Sequence, residues 1–127
     1  MGYAGRMSFS SDDLEALAAA EVVRIETQAL DGPSHRTIIW VVVDGDEAFV
    51  RTYKGPTSRW YREAQANPAV ALHLGERRIP ATAIPATDPD SVERVSAAFR
   101  RKYAGDPATL AMVADAVLPT TLRLEPA

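Results

Sequence analysis

The stretch Thr37-Ile-Ile-Trp-Val-Val-Val43 limits the fold of this chain more than any other. Its apolar side chains are mostly β-branched, which favours extended backbone, and the run is far too short to span a membrane. Successive side chains of a strand point to opposite faces, so a strand Thr37–Val43 must be covered on both. One face can line a barrel. The other needs a helix, a ligand or another subunit.

The flanking segments supply further strands. Val23, Ile25, Thr27 and Ala29 alternate with Arg24, Glu26 and Gln28, the pattern of a half-buried strand, and Asp31-Gly32-Pro33 turns the chain. Asp44-Gly45-Asp46 leads into a strand Glu47–Tyr53, which Lys54-Gly55-Pro56 breaks. Thr57 or Ser58 caps a helix Arg59–Ala66 that Asn67-Pro68 ends. Val70–Leu74 and Arg77–Ala86 form a second hairpin across Gly75-Glu76. Asp88-Pro89 opens the clearest helix, with Val92, Val95, Phe99 and Tyr103 on one face and Gly105 as its stop. Asp106-Pro107 starts a last helix through Val117, and Thr120–Leu124 closes the chain as a strand. Near the start, Ser10 or Ser11 caps a short helix carrying Leu14, Leu17 and Ala18. The expected organisation is a flexible leader, residues 1–9, before a single domain, 10–127. Its class is mainly β with short helices, six antiparallel strands forming a small barrel.

At 127 residues the chain has room for one core. It contains no cysteine and two histidines, which excludes thiolate chemistry and leaves a histidine-built metal centre improbable. The net charge of −3 argues against a nucleic-acid binder. No apolar run reaches a membrane span, and the expected location is the cytoplasm.

Against that acidic background, residues 48–62 contain no carboxylate but do contain Arg51, Lys54, Arg59 and Arg62. This segment joins a strand end, a glycine loop and a helix N-terminus, where free N–H groups and the helix dipole favour an anion. Lys54 and Arg59 offer charge-assisted hydrogen bonds, Thr57 or Ser58 a hydroxyl, and Tyr53, Trp60 and Tyr61 flat surfaces. Phosphate beside a planar ring is the chemistry of a nucleotide-like cofactor. A solvated arginine-rich edge, with Trp60 packed in the core, is the alternative.

Trp60-Tyr-Arg-Glu-Ala-Gln-Ala-Asn-Pro68 followed by Val70-Ala-Leu-His-Leu-Gly75 resembles the Trp-Tyr-x-Asn-Leu-x-Ala-Asn-Pro block of the deazaflavin-dependent nitroreductase-like branch of the FMN-binding split-barrel superfamily. That superfamily includes pyridoxamine phosphate oxidase. The resemblance covers roughly Val22–Tyr103 and is nearest an uncharacterised subfamily with a Tyr-basic-Gly-Pro loop before Trp-Tyr. It implies a split β-barrel, a homodimer, and FMN or a deazaflavin in a groove at the subunit interface. The phosphate would sit at Lys54, Ser58 and Arg59, beside Trp60. The ring would lie against Ile38, Ile39, Trp40 and the backbone of Val50–Thr52, whose N–H groups would hydrogen-bond its reactive edge, with Arg51 at its electron-rich end and Tyr53 as a pocket wall or, alternatively, a proton donor. The implied activity is hydride or electron transfer to a small organic substrate. The alternative is a cofactor-free barrel binding a small hydrophobic or anionic ligand. Glu63-Ala64 stands where the block has Asn-Leu, so this helix must pack differently.

The remaining polar residues read as structural. No aspartate is placed by sequence to orient His35, His73 reads as a surface or interface histidine, and Arg100-Arg101-Lys102 as a solvated helical face. Asp12-Asp13 reads as helix-start charge rather than a metal site.

Overall fold

The computed structural model describes residues 8–127. Most of the expected leader, residues 1–7, lies outside them. Phe9, which the sequence placed in that leader, is buried in the core.

Twelve short elements follow: α1 Ser11–Ala19, β1 Val23–Gln28, β2 Ser34–Ile39, β3 Val42–Asp44, β4 Glu47–Val50, α2 Arg59–Ala66, β5 Ala69–Leu74, β6 Arg77–Pro85, α3 Pro89–Lys102, α4 Thr109–Met112, a 3₁₀ helix Asp115–Thr120, and β7 Leu122–Pro126. The strands form one antiparallel sheet in the order β2-β1-β5-β6-β7-β4-β3. Seven strands replace the expected six because the run Thr37–Val43 is divided. Ile39 is the last residue paired to β1, through Val23, and Val42 the first paired to β4, through Phe49. Trp40 and Val41 carry the chain between the two ends of the sheet order. A two-residue link between the edge strands forces the sheet to curl back on itself. The result is a barrel that stays split between β2 and β3.

That division also settles how the two faces are covered. Ile39 and Val41 point into the barrel with Ile25, Leu72 and Leu124, whereas Val42 packs outward with Phe49 against Val95 and Phe99 of α3. Helix α3 is therefore the cover for that face, while Ile38 remains 60% exposed.

Local chemistry sets the helix ends. Ser10 Oγ accepts from the Asp13 N–H at 3.1 Å, and the Asp88 carboxylate accepts from the Ser91 N–H at 3.0 Å ahead of Pro89. Helix α2 spans the predicted residues and buries Trp60, Tyr61 and Ala64. The expected long last helix is instead α4 plus the 3₁₀ helix, and strand Glu47–Tyr53 stops at Val50.

Candidate functional site

A groove of about 770 Å³ opens beside the split. Its walls come from β2, the segment following β4, the start of α2, and α4. All nine positions singled out above line it: Ile39, Trp40, Arg51, Thr52, Tyr53 and Lys54, then Ser58, Arg59 and Trp60.

The α2 end is the polar one. Ser58 is the N-cap residue, but its hydroxyl bonds no helix N–H. Its Oγ is buried and has no hydrogen-bond partner among the described residues. A buried hydroxyl left unpaired costs about 1–3 kcal/mol, so it marks a position built for a further acceptor or donor. Lys54, Arg59 and Arg62 line the same end, and none makes an ion pair within salt-bridge distance among the described residues. Arg59 Nη2 lies 3.4 Å from Thr37 Oγ1, and Arg62 Nε donates to the Thr57 carbonyl at 3.2 Å. Their positive potential is therefore uncancelled by a direct carboxylate contact. Gly55 turns the loop at φ 81°, a conformation that favours glycine.

The other walls are apolar. Trp60 is buried and meets Tyr61 edge-on, with ring centroids 6.2 Å apart. Trp40 stacks on Tyr103 at 3.8 Å, which fixes its ring against α3. Tyr53 is 64% exposed, with Lys54 Nζ 5.9 Å from its ring centroid. Val22, Ala108, Ala111 and Met112 also line the groove. Sequence reasoning missed them, because nothing local shows which way the α4 turn faces.

Three expectations need correction. Arg51 does not present its guanidinium to the groove; it is 1% exposed and bonds Thr121 Oγ1, Ser96 Oγ, Met112 O and Val92 O within the protein. Nor is the Thr52 N–H free for a ring edge, since it donates to Thr120 Oγ1 at 3.3 Å. Lys102 does not belong to a solvated face: its Nζ donates to Leu17 O at 3.0 Å and Val41 O at 2.6 Å. Burial pushes the Lys102 amine down to about 8.

His35 has an orienting carboxylate after all. Glu63, the departure from the Asn-Leu pattern, accepts from Thr27 Oγ1 at 2.7 Å and lies 3.1 Å from His35 Nδ1. Burial raises the Glu63 pKa, but hydrogen bonds from Thr27 and His35 and the charges of His35 and Arg59 outweigh it, leaving the pKa lowered. His73 is half-buried, with Nε2 2.6 Å from Glu26 Oε1.

A curled seven-stranded antiparallel sheet, open between β2 and β3 and carrying a cation-lined groove beside that opening, gives the chain the split-barrel fold of the solved structures similar to it. Residues 13–124 match the family described as "Uncharacterized protein conserved in bacteria (DUF2255)", and the chain belongs to that family. Solved structures similar to it include a pyridoxamine 5′-phosphate oxidase-like protein from Listeria innocua, at TM-score 0.62 and 16% identity, covering 91% of this chain and 90% of that one. HutZ, the heme storage protein from Vibrio cholerae, is similar at TM-score 0.64 and 15% identity, covering 95% and 92%. An F420-H2 dependent reductase, FDR-A, is similar at TM-score 0.63 and 18% identity, covering 83% and 94%. At such identities the likeness establishes the fold and not the reaction. No curated protein matches the chain. Among the described residues, no helix is long and apolar enough to cross a membrane.

Proposed function

We propose that the groove holds a phosphate-bearing planar cofactor, FMN or a deazaflavin, and that the protein is a cytoplasmic oxidoreductase acting on a small organic substrate. The observation that carries this reading is the unpartnered Ser58 Oγ, set at the start of α2 among Lys54, Arg59 and Arg62. A phosphate there would receive the hydroxyl, the N-terminal N–H groups of an eight-residue helix and two or three cations. When bound, such a cofactor supplies hydride or electron transfer.

The protein's own part is to bind, orient and shield. Lys54, Ser58 and Arg59 anchor the phosphate, while Ile39, Trp40 and Trp60 exclude water from the ring. The exposed Val22 and Ile38 at the groove support a homodimer whose second copy covers them. The same apolar patch supports a second reading, a cofactor-free barrel that takes a small hydrophobic or anionic ligand.

Titration with FMN, riboflavin and a deazaflavin separates the readings. Micromolar binding of a phosphate-bearing ring is expected; binding of none of them would exclude the cofactor reading. Lys54→Ala and Arg59→Ala should each weaken FMN on the order of tenfold while changing riboflavin little. Equal losses for the two ligands would place the phosphate elsewhere.

A further inference from the structure

Arg51 carries a positive charge into the interior without meeting a carboxylate within salt-bridge distance among the described residues. Four neutral oxygens take its N–H groups: Thr121 Oγ1 and Val92 O at 2.8 Å, Ser96 Oγ at 2.9 Å, and Met112 O at 3.1 Å. The Phe99 ring lies 5.7 Å from its Cζ. Burial, with a smaller contribution from Arg100, pushes its pKa down to about 10. Burying a charge without a counter-charge is costly, and the charge-assisted hydrogen bonds and the Phe99 ring offset that cost only in part. A guanidinium does offer a flat, rigid fork of five donors. Here the fork joins α3, the end of α4 and the start of β7.

Helix α4 takes one tine of that fork, at Met112 O. Four residues are too few for a helix to persist unaided, and Met112 O is one of its terminal carbonyls with no intrahelical donor. Its other fastenings include Thr109 Oγ1 donating to Tyr103 O at 2.8 Å, the Thr109 N–H donating to Asp106 O at 3.0 Å, and the Met112 side chain buried against the α3 cluster. Yet Ala108, Ala111 and Met112 form part of the groove wall. We propose that Arg51 is a positioning residue for the groove: it touches no ligand, and it fixes α4 as a wall so that a flat ring fits between that wall and Trp60. The ring in this statement rests on the cofactor reading given above; the fixing of the wall does not.

Two measurements on the full-length chain test it. Arg51→Lys keeps the charge and loses the fork, Arg51→Met loses both, and Ser96→Ala removes one acceptor while leaving Arg51 in place. In both Arg51 variants, amide hydrogen exchange of residues 109–113 should accelerate about tenfold or more while β1, β5 and β6 stay protected. Ser96→Ala should give a smaller acceleration confined to the same segment, and it carries the test if Arg51→Met does not fold. Titrations followed by Trp40 and Trp60 fluorescence should show riboflavin and FMN weakened by the same factor, their ratio unchanged. Unchanged exchange at 109–113, acceleration spread evenly over the sheet, or wild-type behaviour of Arg51→Lys would each overturn the assignment. If the wild-type chain binds neither flavin, the cofactor reading fails, while the exchange pattern still decides whether Arg51 holds the wall.

Discussion

Lys102 Nζ donates to the Val41 carbonyl at 2.6 Å, tying the end of α3 to the two-residue link between β2 and β3. The same ammonium reaches Leu17 O at the end of α1, so one side chain fastens both elements where the barrel splits. Because burial lowers its pKa to about 8, the folded chain binds fewer protons than the unfolded chain between about pH 8 and the ordinary value of 10.5. Stability attributable to Lys102 therefore rises with pH across that window. Urea melts of wild type and Lys102→Met at pH 7 and pH 10 should show the wild-type advantage growing; a constant difference would mean that the amine is not desolvated.

Ser58→Ala separates fold from site. An N-cap serine replaced by alanine ordinarily costs about 0.5–2 kcal/mol, but this hydroxyl caps nothing. Because alanine removes an unpaired buried hydroxyl, the variant should be at least as stable as wild type, and more stable by up to about 1–3 kcal/mol. Its affinity for FMN should nevertheless fall several-fold relative to riboflavin. A large loss of stability would show that the hydroxyl is satisfied in solution by the protein itself.

Glu63 joins β1, β2 and α2 through Thr27 and His35. Its pKa is lowered on folding, so its contribution is full above the ordinary 4.5 and disappears as pH falls through the folded value. Glu63→Gln should destabilise the chain by roughly 1 kcal/mol at pH 7, with the difference shrinking below pH 4.5. Chemical denaturation at pH 7, 5 and 3.5 measures this. A difference independent of pH would mean that packing, not charge, is lost.

Ile38 sits 60% exposed on the edge strand, beside the exposed Val22. Light scattering should give twice the chain mass for wild type and the chain mass for Ile38→Asp. A monomeric wild type at high concentration would remove the dimer from the functional reading.

Much of the architecture is legible locally. Helix α2 begins after Ser58 and ends at Asn67-Pro68, and α3 begins at Asp88-Pro89, because caps and prolines act within one helical turn. Alternation along Val23–Gln28 identifies a half-buried strand for a similar reason: its period of two is a property of the backbone. The acid-free segment 48–62 pointed to the groove because charge sign needs no partner to be read.

Other features required the folded chain. The break at Trp40–Val41 has no glycine or proline to announce it; it follows from where β1 and β4 offer their free edges. Arg51 and Lys102 look alike as cations in sequence, yet their acceptors lie 41 to 85 positions away. The sequence by itself determined most of the strands, the helix ends and the acid-free segment that lines the groove. Which cations face that place and which are spent inside was decided by tertiary packing, since a buried donor must take whatever acceptor distant segments bring to it.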